Sequence, residues 1–436
     1  MVPDYEVIEQ ATMDKPLTQN IRPGGEPPDL RAYEKAGGYQ ALRKALALSP
    51  SDVVAEVMKA NLLGRGGAGF PAGRKWSEVP QAEDPRRPAY FVVNADEMEP
   101  GTMKDRFLME GDPHQLVEGA ILSAYAVHAH KAWIFLRWAY KLAARRLEKA
   151  IAEAAEAGYL GRNILGSGYS LDLYLHTSHG RYMCGEAEGM LNALEGRRAI
   201  PRSKPPYAAS CGLWGKPTVV NNVETVCCVP HIVNRGWQWF RALSRAPGEG
   251  GTKIYGASGR VNRPGLWELP LGSTAREILL EHAGGMRDGY RLRGFLPGGA
   301  SSRFLTDRHL DVAMAFGSME KAGSRLGTGT MIVLDDKACP VGMLLSLQKF
   351  FARESCGWCT PCREGLPWVV RTLEAMEEGR GELSDMAVLE DHARWIVIGN
   401  TFCALAPGAM FSLASALEYF GDDLRRHIQE KQCPWR

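Results

Sequence analysis

Cysteine is scarce in this chain, with 10 in 436 residues, too few and too scattered for a disulfide scaffold. Long apolar runs are missing as well. The strongest, Gly119 to Val127, stops at His128, well short of the ~20 residues that a spanning helix requires. No charge of one sign dominates: Lys plus Arg number 52 against 50 Asp plus Glu, a formal net charge of +2. That balance argues against nucleic-acid binding by bulk charge and against a polybasic membrane anchor. The opening residues, Met1-Val2-Pro3-Asp4-Tyr5, hold an acid and a proline instead of a basic segment before an apolar one, so no secretory signal is expected. The compartment is therefore read as reducing, and cysteines that cluster are metal or redox ligands first.

What is present is an ordinary folded composition, 45% hydrophobic and 23% charged, with 48 glycines that hint at backbone-lined loops. At roughly 150 residues per domain the length suggests about three domains. Residues 14–29 are rich in Pro, Gly and polar side chains and read as an extended arm. Helical spacing from Ser51 to Met58 follows a plausible cap and runs into Gly64. Strands are expected at Ala89–Val93, Ala132–Leu136 and Leu171–His176, with helices over 114–127 and 140–157 between them. That alternation implies crossover units, a parallel sheet, and a pocket where the loops after Val93, Leu136 and His176 converge. A linker-like stretch at 245–252 opens a small mixed region with strands at Lys253–Gly256, Gly265–Leu269 and Thr330–Leu334 around a helix at Thr274–Ala283. From about residue 340 the chain is helical again.

The strongest chemical signal is Cys356-Gly357-Trp358-Cys359-Thr360-Pro361-Cys362. Three thiols at this spacing wrap one face of a compact centre, and Cys403 is the natural fourth. Zinc sites usually show two separated pairs, so a [4Fe–4S] cluster fits better. The loop Gly64-Arg65-Gly66-Gly67-Ala68-Gly69-Phe70-Pro71 matches the letters of a dinucleotide fingerprint without its strand–loop–helix context. It reads as a loop that lets a phosphate or flat ring approach the backbone, or as a tight turn. Asn94-Ala95-Asp96-Glu97-Met98-Glu99 follows a strand, where acids hold a metal, bond ribose hydroxyls, or simply face water. The segments around Tyr182-Met183-Cys184-Gly185-Glu186 and 215–225 are each, alone, no more than turns, although the paired Asn221-Asn222 suits the edge of a heteroaromatic ring. Cys184, Cys211, Cys227, Cys228, Cys339 and Cys433 read as buried apolar thiols.

Taken together, GRGGAGFPAGRKW, NADEMEPGTMKDR, RYMCGE, SKPPY, GLWGKPTVVNNVET and ESCGWCTPCREG, with TFCALAP behind, closely resemble the FMN-carrying, NADH-oxidising flavoprotein subunit (the F-type subunit) of bacterial respiratory complex I, from about Tyr33 to Phe420. Related subunits occur in NAD-linked hydrogenases and formate dehydrogenases. The resemblance implies an α/β architecture: a Rossmann-like flavin domain over 1–245, a β-grasp domain over 246–337 and a helical [4Fe–4S] domain over 338–436. It implies hydride transfer from NADH to FMN, then single electrons through the cluster toward quinone, with no catalytic acid or base. FMN would be held by Gly64, Arg65, Gly66, Gly67, Ala68, Gly69, Gly73, Lys75, Asn94, Asp96, Tyr182, Gly185, Glu186, Asn221, Asn222 and Thr225. NADH would meet Phe70, Glu97, Glu99, Lys204 and Tyr207, the aromatics sandwiching adenine. The implied partners are a thioredoxin-like [2Fe–2S] subunit and a large multi-cluster iron–sulfur subunit, with the chain peripheral on the cytoplasmic side of the inner membrane.

Three departures stand out. The family usually reads R-G-E-Y where this chain has Arg137-Trp138-Ala139-Tyr140, a glycine-rich segment where it has Ser178-His179-Gly180, and G-E-E-T-A where it has Gly185-Glu186-Ala187-Glu188-Gly189. All three fall at strand ends expected around one pocket. FMN binding is expected to survive and NADH turnover to be slower. The second reading is an electron-wire subunit with a degenerate nucleotide site, or a hydrogenase or formate dehydrogenase diaphorase.

Overall fold

The computed structural model describes residues 14–22, 24–80 and 86–435, so the opening residues considered for a signal lie outside it. Four strands, β1 (Ala89–Ala95), β2 (Ala129–Leu136), β3 (Asp172–Thr177) and β4 (Thr218–Asn222), form a wholly parallel sheet in the order β3-β2-β1-β4. Phe91, Val92 and Val93 are all fully buried, the continuous apolar run expected of a strand covered on both faces. Patterning does not reveal β4: its sequence TVVNN ends in two asparagines, poor strand formers, and only pairing with β1 makes it a strand. The four strands end level, with Ala95 opposite Leu136, Leu136 opposite Thr177, and Asn94 opposite Asn222. Their loops therefore open on one edge.

The helix Pro113–Ala126 is buried along nearly its whole length. It packs closely on the helix Val223–Arg235, because a Cβ at Gly119 would come within 2.3 Å of the Val226 carbonyl oxygen. Residues 16–20 of the segment read as an extended arm instead form a turn, with Leu17 and Thr18 buried. The Leu17 and Thr18 amides donate to the buried Glu268 carboxylate at 3.1 and 2.9 Å.

A second sheet contains β5 (Thr252–Ser258), β6 (Gly265–Pro270), β7 (Leu292–Leu296) and β8 (Thr330–Asp335), in the order β6-β5-β8-β7. β8 runs parallel to β5 and antiparallel to β7. β7 is the strand that patterning misses, since LRGFL carries a central glycine. The helix expected at 274–283 is a wide π-type turn, Glu277–His282. Long helices follow at Pro340–Glu354, Leu366–Glu377, Ser384–Trp395 and Leu405–Glu430.

The chain forms two compact units. The first comprises the described residues to Met98, then Met103–Ile254 and Leu266–Gly272; the second comprises Glu99–Thr102, Tyr255–Gly265 and the residues from Ser273. Among the described residues, no helix is long and apolar enough to cross a membrane.

Candidate functional site

In the first unit, the level strand ends bring together loops that are far apart in sequence. Ser178 Oγ donates to Asp96 Oδ1 at 2.7 Å, and Asn94 Nδ2 donates to the Gly185 carbonyl at 2.9 Å. Arg137 Nη1 donates to the Glu97 carbonyl at 2.8 Å, and the Tyr140 hydroxyl to Glu97 Oε2 at 3.0 Å. The three loops predicted to converge thus do so through named hydrogen bonds.

The glycine loop closes on itself, with the Gly64 amide donating to the Phe70 carbonyl at 3.0 Å and Leu63 bridging Pro71. Gly67 and Gly69 have φ of 125° and 68°, conformations that a side chain would resist. A Cβ on Gly66 would come within 3.2 Å of Asn222 Cβ, so the bare backbone there lies against the β4 end. The Arg65 amide donates to Thr225 Oγ1 at 2.8 Å. Lys75 Nζ donates to the Val220 carbonyl at 3.0 Å, burial pushing its ammonium pKa down, and the Trp76 indole donates to Asn221 Oδ1 at 2.8 Å. The loop is therefore tied to β4 and to the helix that follows it. Gly73 has a different use: a Cβ there would fall 2.6 Å from the backbone of Met58, so it lets two helices touch. The buried Arg65 side chain also works structurally, its Nη2 donating to the Gly250 and Thr252 carbonyls at 2.6 and 3.1 Å.

Charge beneath this surface is buried and balanced. Lys104 Nζ lies 2.7 Å from Asp105 Oδ1, 2.9 Å from Glu224 Oε2 and 3.1 Å from Asn222 Oδ1. Asn222 Nδ2 donates to Asp105 Oδ2 at 2.6 Å, and Lys253 Nζ lies 3.0 Å from Glu224 Oε2. Burial alone would raise Glu224, but Lys104, Lys253 and Arg65 hold it down at about 2. Burial drives Lys253 to about 8 against the pull of Glu224, whereas Lys104, between two carboxylates, is held above its usual value. Glu97 accepts from the Asp105 and Arg106 amides at 2.9 and 3.1 Å, and burial, with Asp105 beside it, raises it to about 7. Lys104, Asp105 and Glu224 form a buried network beneath the strand ends that sequence reasoning passes over, although NADEMEPGTMKDR and NNVET contain them.

The third departure from the family proves to be a displacement of charge. Glu186 caps the helix Ala187–Leu194, its Oε2 accepting from the Gly189 amide at 2.8 Å. Lys204 Nζ lies 3.3 Å from Glu186 Oε1 and 2.8 Å from Glu188 Oε2. Burial and the adjacent Glu188 raise Glu186 to about 7; burial would raise Glu188 too, but hydrogen bonds from Glu186 and Lys204 leave it below its usual range. The acid absent at 187 is thus present one residue later, ionised and paired. Trp138 lies over Gly180, where an added Cβ would meet its indole at 1.9 Å, and the ring is about half exposed at 52%. Ala139 is exposed. Phe70 and Tyr207, the expected adenine-stacking pair, are exposed at 38% and 61%.

Several buried polar atoms at these strand ends, Arg137 Nε and His176 Nε2 among them, lack a hydrogen-bond partner among the described residues, and one is an acceptor that suits a ligand. Asp96 Oδ2 is buried with no hydrogen-bond partner among the described residues, and burial raises the carboxyl to about 6. A carboxylate so placed suits a hydroxyl or ring N–H donor, and the exposed Gly66 backbone suits a flat ring, so the residues fit a bound flavin nucleotide.

In the second unit, Glu99 is engaged by its own surroundings: its Oε1 accepts from the Ser301 amide at 2.6 Å. The same unit assembles the cysteine set. Cys362 follows the turn begun by Thr360-Pro361, and its Sγ donates to Ser355 Oγ at 2.9 Å. Burial pushes the Cys362 thiol up to about 12 against the Ser355 hydrogen bond, with Cys359, Cys403 and Cys356 adding to the rise. Trp358 and Phe402, from the two cysteine-bearing segments, meet edge to face at 6.2 Å. A set of four thiols is a donor set that would suit an iron–sulfur cluster.

Comparison with known proteins agrees with this geometry. Residues 57–231 match the family described as Nuo51 FMN-binding domain, and residues 342–427 match the NADH-ubiquinone oxidoreductase-F iron-sulfur binding region. The F-type subunits of the NADH-quinone oxidoreductases of Salmonella typhimurium (strain LT2) and Escherichia coli (strain K12) are each 53% identical over 416 residues, covering 95% of this chain and 93% of theirs. That of Streptomyces coelicolor is 47% identical over 93% of this chain and 89% of its own. Among solved structures, an NAD+-reducing [NiFe]-hydrogenase in the H2-reduced state superposes with a TM-score of 0.82 at 32% identity, over 94% of this chain and 67% of that one.

Proposed function

Because this chain belongs to the F-type subunit family of NADH-quinone oxidoreductases, which carry FMN and a [4Fe–4S] cluster, we propose that the parallel-sheet edge is its FMN and NADH site and that Cys356, Cys359, Cys362 and Cys403 are its cluster ligands. When bound, FMN accepts the hydride of NADH and the cluster takes electrons one at a time. The protein's part is placement. The Gly64–Gly69 loop presents bare backbone, Lys75 supplies positive charge beside it, and the Asn94, Asn221 and Asn222 amides fix the strand ends that frame the ring. Asp96 accepts from the ligand, and Tyr182, Gly185 and Glu186, the last two on the loop that Asn94 Nδ2 holds at the Gly185 carbonyl, are further contacts. Phe70 and Tyr207 offer stacking faces, and Lys204 is held in place by Glu186 and Glu188. Glu97, already accepting from two amides and a tyrosine, orients the 137–140 loop as well as offering charge to the coenzyme. Glu99 is assigned as an NADH contact by family likeness alone.

The observation that supports this reading best is the unpartnered, buried Asp96 Oδ2 at the end of β1. Its test is flavin content: Asp96→Asn should purify with less FMN than the parent, and full occupancy would remove Asp96 from the site. We further propose three functional parts over 1–245, 246–337 and 338–436. The partners are taken to be the thioredoxin-like [2Fe–2S] subunit and the multi-cluster iron–sulfur subunit, with the chain on the cytoplasmic face of the membrane complex. Exposed Trp358, Trp368, Trp395 and Phe402, on or beside the cysteine-bearing segments, are side chains of the kind that interfaces bury.

A further inference from the structure

Two of the six cysteines outside the cluster set are not simple apolar thiols. Cys339, at the N-cap of the helix Pro340–Glu354, and Cys433, after the helix Leu405–Glu430, meet Glu377 and His427. One donor atom from each lies within 4.8 Å of every other. Cys339 Sγ is 3.1 Å from Glu377 Oε1 and 3.3 Å from His427 Nε2, and those two atoms are 3.4 Å apart. Zinc bonds of about 2.3 Å to sulfur and about 2.0–2.1 Å to nitrogen or oxygen place tetrahedral ligands about 3.3–3.8 Å apart. The observed spacings are close to those edges before any ion is added.

The surroundings are those of a metal site. His427 Nδ1 lies 2.7 Å from the Asp423 carbonyl, which can only accept, so the proton is on Nδ1 and the Nε2 lone pair points at the other donors. The Gly342 amide donates to Cys339 Sγ at 3.2 Å, at the N-terminus of the helix Pro340–Glu354. His427, Glu377 and Cys433 are buried, and Trp435 stacks on the imidazole at 5.6 Å.

We propose that Cys339, Glu377, His427 and Cys433 bind one Zn2+ as a closed structural site, separate in residues from the iron–sulfur cluster. Two thiolates, an imidazole and a carboxylate suit a borderline-soft tetrahedral ion, and all four positions are filled by protein. On binding, the two thiol protons pass to solvent and no redox change occurs. The ion fastens the tail at Cys433 to the start of one helix and the end of another, Leu366–Glu377, within the unit that carries the cluster. This proposal does not depend on the flavin assignment.

The test is elemental analysis of the full-length chain, purified anaerobically without chelator from zinc-replete cells, with cluster and flavin in place. One zinc per chain is expected in addition to the cluster iron, and zinc K-edge absorption should show two sulfur and two nitrogen or oxygen neighbours. Cys433→Ser and His427→Gln should each lose the zinc while keeping the iron and the reduced-cluster EPR signal, and tryptic release of the C-terminal tail should quicken. The absorption measurement on the parent chain decides the matter if a variant does not fold. Absence of zinc, iron in its place, a Cys339–Cys433 disulfide by mass spectrometry, or a zinc shell lacking sulfur would each overturn the proposal.

Discussion

Glu186, Glu188 and Lys204 show how one displaced side chain can alter a site without emptying it. Burial and Glu188 together hold Glu186 near neutrality, so its charge changes within the working pH range. Removing the neighbouring anion makes Glu186 easier to ionise. Glu188→Gln should therefore move any acid limb of kcat/KM for NADH–ferricyanide reduction from near pH 7 to lower pH. A limb that stays in place would separate Glu186 from turnover. The same geometry predicts that restoring the family acid alone is harmful, because Ala187→Glu puts a third carboxylate over one lysine. Two like charges ~4 Å apart repel by roughly 1–4 kcal/mol, depending on how much water intervenes. The paired change Ala187→Glu with Glu188→Thr should recover the activity that Ala187→Glu loses, and equal activities in the single and double variants would contradict the coupling. Trp138 lies on Gly180 at the surface, so Trp138→Gly should leave flavin content unchanged.

At the scale of elements, glycines divide into those that expose backbone and those that permit packing, and the letters alone do not separate them. Gly73 belongs to the motif yet abuts Met58. Gly73→Ala should lower stability by about 1–3 kcal/mol through overpacking, measured as a fall in Tm. By contrast, Thr225→Val removes the hydroxyl that anchors the loop at Arg65. Losing roughly 1 kcal/mol there should weaken FMN binding several-fold, with unchanged affinity the contrary result. Three of the four strands of the parallel sheet are legible in the sequence because apolar β-branched runs alternate with helices. β4 and β7 are not, since asparagine and glycine become strand residues only when a neighbour supplies the hydrogen bonds. The cysteine cluster is legible from spacing within seven residues. The Cys339–Cys433 meeting is invisible there, because 93 residues lie between its members and helix packing alone unites them.

For the whole molecule, buried charge sets the response to acid. Glu224 has a folded pKa near 2 against an ordinary 4.5, so the folded state binds fewer protons between those values. Its contribution, about 3 kcal/mol, is complete above pH 4.5 and is lost as pH falls from 4.5 toward 2. Lys253→Met should shift acid unfolding to higher pH, and an unmoved midpoint would show that Lys104 and Arg65 hold Glu224 without it. Above all, one chain is to carry both a flavin that NADH reduces and a cluster that accepts its electrons. Anaerobic addition of NADH to the purified chain probes both at once, with flavin absorbance and low-temperature EPR followed together. Bleaching of one FMN per chain is expected and, with it, a reduced [4Fe–4S] signal that Cys403→Ser abolishes or converts. A chain whose cluster is intact but whose flavin is absent or unmoved by NADH would contradict that division of labour.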